Sequence, residues 1–345
     1  MKPPAGVPLL PFAGPRWCLT PEEMAAVDRA AIHAGLGGLA LMETAGRGVV
    51  GAIRAAFEPH AARGCAESAP ASEPRAVFLI GGGNNGGDGL VAARCLAEAG
   101  WRVVLELFVD PANFTGDAAR QWGLVEPMGL AVRRIETAES ARDGFTGAMN
   151  ATCIVDALLG TGLRGDVREP MRSAIEAVNG AVGRPPVVAV DAPSGLDGAT
   201  GRVRGMAVRA DFTVTLGFPK PGLFLADGPR HCGRLIAVPL GYPPAALAAA
   251  EGTSPLGWTG LPEGEAALPP RPHDLHKGAA GRLLVLAGSP DYRGAAVLTA
   301  TAALRSGAGI CVVATPAPVA EFLVGQLPEA IVLPLPVTKS GALAA

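Results

Sequence analysis

Between residues 76 and 191, short apolar runs rich in β-branched side chains alternate with segments of 3.6-residue periodicity, and no other feature narrows the fold so far. The strand-like runs are 76–80, 102–109, 131–135, 152–156 and 187–191, and the helical segments between them are 88–99, 116–126, 137–148 and 169–179. A strand that is apolar along its whole length has both faces covered, and a strand followed by a crossover helix returns parallel to its predecessor. The pattern predicts an α/β fold with a Rossmann-like, doubly wound, mostly parallel sheet. Further strand-like runs at 212–216 and 234–239 complete it.

Upstream, Thr20-Pro21-Glu22-Glu23 has the form of a helix start: a threonine N-cap, proline in the first turn and glutamate placed for a capping box. That helix is expected to run to about residue 34. Gly35, Gly37 and Gly38 break it before a second helix over 39–57, and 58–75 reads as a surface loop. A first domain over 17–247 is expected, then a linker over 248–270 whose Gly, Pro and Ser density lacks periodicity. A second unit over 271–345 carries strands at 282–287, 310–314 and 330–334 with helices at 294–307 and 317–326. So few elements cannot cover both faces of a parallel sheet, so this unit reads as the first part of a larger α/β domain.

The balance of 29 basic against 31 acidic residues, with no charged block and no basic–aromatic patch, excludes a nucleic-acid binder. No membrane span is expected, because the longest uncharged apolar run, 235–250, is broken by Pro239, Pro243 and Pro244. Prolines also interrupt the first residues, which lack a signal-peptide layout, so the cytoplasm is expected. Six scattered cysteines without zinc spacing read as reduced, mostly buried thiols, and the sequons at Asn113 and Asn150 count as chance.

Three strand ends carry the chemistry. The first runs Gly81-Gly82-Gly83-Asn84-Asn85-Gly86-Gly87-Asp88, a glycine loop with two amides and a carboxylate. It satisfies G-x-G-x-x-G, with Glu106 where a ribose-binding acid would be sought. Asp88, however, would set a negative charge where a dinucleotide fingerprint puts pyrophosphate. The second is Asp156 followed by Gly160-Thr161-Gly162-Leu163-Arg164-Gly165-Asp166, a loop flexible enough to wrap phosphate. The third is Asp191 followed by Pro193-Ser194-Gly195. Ser194 lacks a nucleophile elbow and a placed histidine, so a ligand or positioning role is expected of it. In an open parallel sheet such ends converge on one crevice.

Asn85, Asp156 and Ser194 offer hard oxygens with a single formal negative charge, which suits a monovalent cation, potassium, rather than magnesium or calcium. Asp191 is left as the candidate acid–base. In the second unit, Lys277 precedes a strand, and the loop from Gly288 leads to Ala295 and Ala296 as a further candidate binding site. His33, His60 and His231 stand alone and read as structural or exposed.

The loop Asn84 to Gly89, Asp156 with Gly160 to Gly165, Asp191 to Gly195, and Phe218-Pro219-Lys220-Pro221-Gly222 together resemble the NAD(P)H-hydrate epimerase domain. The region from His276-Lys277-Gly278 to Gly309 resembles the start of an ADP-dependent NAD(P)H-hydrate dehydratase domain, a ribokinase-like fold. In this order they resemble the bifunctional NAD(P)H-hydrate repair enzyme family. The resemblance implies epimerisation of NADHX and NADPHX, reduced cofactors with water added across a ring double bond. Asn84 to Asp88 and Gly160 to Asp166 would bind the hydrate, Asn85, Asp156 and Ser194 would hold potassium, and Asp191 would contact the ring.

Replacing Asp191 by Asn is then expected to abolish epimerisation with little loss of fold. Dehydration with ADP or ATP is expected only of a full-length form, since the family's catalytic aspartate lies beyond Ala345. A nicotinamide-dependent oxidoreductase and a non-catalytic scaffold of the same fold are the competing readings. The glycine- and alanine-rich leading helices suggest a homo-oligomer.

Overall fold

The computed structural model describes residues 18–58, 73–163, 165–248 and 275–339. The chain divides into two compact units, Met1–Thr259 and Gly260–Ala345. The division, most of the expected linker 248–270, Cys65, His60 and Arg164 lie outside the described residues.

The first unit is built on seven parallel strands: β1 (Arg75–Ile80), β2 (Arg102–Leu107), β3 (Ala131–Arg134), β4 (Cys153–Ala157), β5 (Val187–Val190), β6 (Phe212–Leu216) and β7 (Arg234–Val238). Their order is β3-β2-β1-β4-β5-β6-β7, every neighbouring pair parallel. The Rossmann-like sheet expected from the alternating pattern is the fold found. Side chains of β1 alternate between two cores, Phe78 and Ile80 on one face, Val77 and Leu79 on the other. The first core is covered by α1 (Pro21–His33), α2 (Gly38–Phe57), α3 (Asn84–Glu98) and α4 (Gly116–Val125). The second is covered by α5 (Ala138–Ala148) and α6 (Met171–Gly180).

Strand order reverses between β1 and β4, which pair with Leu79 opposite Asp156. At such a point the connections after the two strands leave in opposite directions and open a crevice at the carboxyl edge. The capping box of α1 is present: Glu23 N–H donates to Thr20 Oγ1 at 3.2 Å and Thr20 N–H donates to Glu23 Oε2 at 2.7 Å.

One boundary corrects the sequence reading. The helix expected to start at residue 88 begins at Asn84, with Gly83 as N-cap. The segment Asn84 to Asp88 is therefore helical, and Asp88 sits in its second turn rather than at its tip. Gly86 and Gly87 read as loop residues from sequence because glycine disfavours helix. Close packing explains them instead. A Cβ on Gly86 would lie 1.9 Å from Gly81 O, and one on Gly87 would lie 2.6 Å from Met42 Cε.

The second unit holds three parallel strands, β8 (Arg282–Leu286), β9 (Ile310–Pro316) and β10 (Ile331–Leu335), in the order β10-β9-β8. Helices Arg293–Arg305 and Ala317–Val324 pack with them around Val285, Ala296, Val313 and Leu323. Among the described residues the cysteines are free and buried, and no helix is long and apolar enough to cross a membrane.

Candidate functional site

A cavity of about 710 Å³ opens where β1, β4 and β5 end. That size is in the range of small-molecule and cofactor sites. Gly82 to Asn85 and Asp88 form one wall, Leu158 to Leu163 another, and Asp191, Leu216 and Lys220 a third. Helix α1 closes a fourth side with Met24, Ala25 and Asp28, beside Tyr242.

At the base, Asp156 is wholly buried at the end of β4. Its Oδ2 accepts from Ser194 N–H at 2.8 Å, and its Oδ1 accepts from Ser194 Oγ at 2.5 Å and from Leu158 N–H at 3.3 Å. Burial pushes the Asp156 carboxyl up to about 6, with the donations from Ser194 and Leu158 acting the other way. Leu159 joins the same group: its N–H donates to Ser194 Oγ at 2.9 Å, and its carbonyl accepts from Asn85 Nδ2 at 3.2 Å. With Nδ2 so committed, Asn85 Oδ1 is buried without a hydrogen-bond partner.

An orphaned amide oxygen next to a buried carboxylate, a hydroxyl and a backbone carbonyl is an all-oxygen donor set that would accept a cation of low charge. Among the described residues no three His, Cys, Asp or Glu side chains gather as a metal site, and in the set named here the carboxylate is that of Asp156. Sequence reading found Asn85, Asp156 and Ser194 but not the carbonyl of Leu159, because a backbone oxygen leaves no mark in the residue type.

Asp191 follows β5 in the left-handed region, φ 64°. Few non-glycine residues adopt it, aspartate among them, and such conformations cluster at functional sites. Its Oδ1 accepts from Leu216 N–H at 3.0 Å and from Lys220 Nζ. Lys220 is 1 % exposed, and its ammonium also donates to Leu216 O at 2.9 Å and Thr215 Oγ1 at 3.4 Å. All three of its protons are therefore placed.

Lys220 belongs to the Phe218 to Gly222 motif, yet no role was read for it in the sequence. A lone lysine between two prolines after an uncharged strand was the available signal. Asp28 and Tyr242 were missed as well. Tyr242 donates to Asp28 Oδ1 at 2.7 Å, and its ring stacks on Phe218 with centroids 6.1 Å apart. Asp28 lies one turn beyond Met24, a core residue, so helical spacing did put that carboxylate on the inward face of α1.

Asp88 lines the cavity, and its carboxyl does not cap α3, whose N-cap is Gly83. Burial holds that carboxyl well above the ordinary carboxylate range, and Asp191 and Asp28 push the same way against Lys220. Burial also raises Asp28, opposed by the Tyr242 hydroxyl and Lys220.

The remaining candidates separate. Asn84, Gly160, Thr161, Gly162 and Leu163 line the cavity, whereas Gly86 and Gly87 are buried in the packing of α3. Gly165 and Asp166 are exposed and are not part of the lining. Ala295 is exposed in the first turn of helix Arg293–Arg305, and Ala296 is wholly buried in the second unit's core. Glu106, sought as a ribose acid, points away from the cavity into the core beneath α5, where its carboxylate lies 2.7 Å from the place a Cβ on Gly144 would take.

Residues 38–222 match the sequence profile described as YjeF-related protein N-terminus, and residues 283–344 match that of NAD(P)H-hydrate dehydratase. A protein named bifunctional NAD(P)H-hydrate repair enzyme Nnr from Salinibacter ruber is 39% identical over 92% of this chain, and one from Methanothermobacter thermautotrophicus 37% identical over 95%. The chain spans 58% of the length of each of these two relatives. The crystal structure of yeast ynu0 shares the fold, with TM-score 0.52 at 24% identity over 71% of this chain and 97% of that one. The chain belongs to the YjeF-related protein N-terminus family.

Proposed function

We propose that the domain over residues 17–247, within the first unit, epimerises the hydrated nicotinamide cofactors NADHX and NADPHX. The observation that carries the reading is the Asp191–Lys220 ion pair facing the same cavity as Asn85 and the loop Leu158 to Leu163. A hydrate has its hydroxyl on the ring carbon next to nitrogen, so exchanging the two epimers needs proton transfer at that oxygen. Asp191 is the group assigned to it, with one carboxylate oxygen held by Lys220 and Leu216. The names of the two relatives support the substrate class.

Asn84, Asn85, Asp88 and Gly160 to Leu163, which line the cavity, are proposed to bind the hydrate together with Arg164. Asn85, Asp156 and Ser194, with the carbonyl of Leu159, would hold potassium. The ion would balance the charge of Asp156 and tie the β4 loop to α3.

Residues 271–345 are proposed as the first part of a dehydratase domain after a linker over 248–270, with Ala295, at the exposed start of its first helix, assigned to its ligand. ADP- or ATP-dependent dehydration is assigned only to a form carrying the rest of the relatives' length. The cytoplasm is the proposed compartment.

Epimer-resolved chromatography of hydrated NADH and NADPH tests the reading. The purified chain should bring a single epimer to a mixture, faster with potassium than with a bulky organic cation. Unchanged epimer after long incubation in potassium would reject it.

A further inference from the structure

Among its described lining residues the cavity holds more carboxyl groups than cations. Asp28, Asp88, Asp117 and Asp191 line it, and among its described lining residues Lys220 is the one cation. Three of the four have partners. Asp191 takes Lys220 and Leu216 N–H, Asp28 takes the Tyr242 hydroxyl, and Asp117 pairs with Arg120 at 3.3 Å. The carboxyl of Asp88 has neither a hydrogen bond nor an ion pair among the described residues. Its place in the second turn of α3 also sets it back from the exposed N–H groups of the helix start, which would otherwise favour an anion.

A half-buried carboxyl without a protein donor, in a cavity whose described lining holds three other carboxylates and one lysine already committed to one of them, is favoured in its protonated form. Burial and the charges of Asp191 and Asp28 act in that direction, with Lys220 opposing. Tyr242, the remaining titratable group of the cavity, is itself pushed up by burial and by Asp28, so it offers Asp88 no charge to pair with.

We propose that Asp88 is the proton donor of the epimerisation, acting on the substrate hydroxyl while Asp191, on a different wall, accepts a proton. The inference rests on the epimerase reading and names a second participant in it. Asp88 gives its proton to the hydroxyl, the carbon–oxygen bond breaks with its electron pair leaving on water, and the ring nitrogen's lone pair forms a carbon–nitrogen double bond. A water on the opposite face then adds to the same carbon. The π pair returns to nitrogen, and the extra proton of the added water passes to Asp191. Exchange with solvent resets the two carboxyls. Two acids whose surroundings differ in this way, one paired with a cation and one not, are a recurrent acid–base arrangement.

The test compares wild type with Asp88→Asn across pH, following epimers by chromatography. Wild-type kcat should fall at alkaline pH as the donor ionises. The variant should lose roughly 10²-fold or more in kcat, with KM changed by less than about threefold and no alkaline fall in the residual rate. A variant that raises KM but keeps kcat and the alkaline fall would overturn the proposal, leaving Asp88 as a binding contact only. Absence of epimerisation by wild type would reject the epimerase reading itself and the donor with it. Conversion by wild type with an unimpaired variant would reject the donor alone.

Infrared spectra of the wild-type chain keep the proposal testable if the variant does not fold. A protonated carboxyl band should persist well above the ordinary carboxylate range, remaining after those of Glu106 and Asp156, which burial pushes to about 7 and about 6, have titrated away. No such band would overturn the proposal.

Discussion

Asp191 and Lys220 form a pair that neither residue would tolerate losing. The ammonium is buried, and its other contacts, Leu216 O and Thr215 Oγ1, are neutral. Removing one partner of a buried ion pair costs on the order of 3–5 kcal/mol, because the other charge is left uncompensated. The expectation that Asp191→Asn costs little of the fold therefore gives way to a different one. The variant should lose epimerisation and also unfold at clearly lower urea concentration. The double variant Asp191→Asn with Lys220→Met should recover much of that stability, since no buried charge remains, and none of the activity. Urea unfolding followed by circular dichroism measures the first, epimer chromatography the second. A double variant as unstable as the single one would show that the lysine is not the source of the cost.

Helix α3 shows how an element can be misplaced by residue propensity alone. Asn84, Asn85, Gly86 and Gly87 are turn formers in any single-sequence reading, so the helix was expected to begin after them. Tertiary contact overrides the propensity: the helix packs so closely on Gly81 that only glycine fits at Gly86. Gly86→Ala should cost roughly 1–3 kcal/mol and disturb the Asn85 amide, seen as lower stability and weaker potassium activation together. The strands, in contrast, were legible to within a few residues, because apolar runs of that length leave little choice. The three strand-end carboxylate and amide sites were legible for the same reason: chain order fixed which ends meet. Lys220, Asp28 and Tyr242 were not, since they reach the cavity from segments that carry no glycine-loop signal.

Strand β2 adds a pH dependence. Burial pushes the Glu106 carboxyl from 4.5 to about 7, with Arg133 and Arg75 opposing. An acid raised on folding binds more protons folded than unfolded between those values, so stability falls as pH rises through that window and levels above it. The loss should be roughly 3 kcal/mol. Glu106→Gln, which cannot ionise, should lessen the fall in urea-unfolding stability between about pH 5 and pH 7.5, leaving the part owed to the raised Asp156, Asp88 and Asp28 carboxyls. A variant retaining the wild-type slope would place its origin elsewhere.

The two compact units differ in what they enclose. The first has helices on both sheet faces, and every residue lining the cavity falls within it. The described second unit leaves Leu284, Leu286, Leu298 and Val324 exposed around a three-stranded sheet. A chain ending at Thr259 should therefore keep the epimerisation rate and potassium response of the longer one, compared by the same chromatography. A large drop in kcat would mean that the second unit contributes to the site.

These expectations share one pocket, where β1, β4 and β5 end, which is proposed to take a hydrated nicotinamide ring beside an alkali ion. Crystals grown with rubidium in place of potassium and soaked with hydrated NADH would locate both by anomalous and difference density. The account predicts rubidium within bonding distance of Asn85 Oδ1 and the Asp156 carboxylate, and the hydrated ring against Asp191 and Asp88. Rubidium bound elsewhere, or a ring lying outside this cavity, would contradict it.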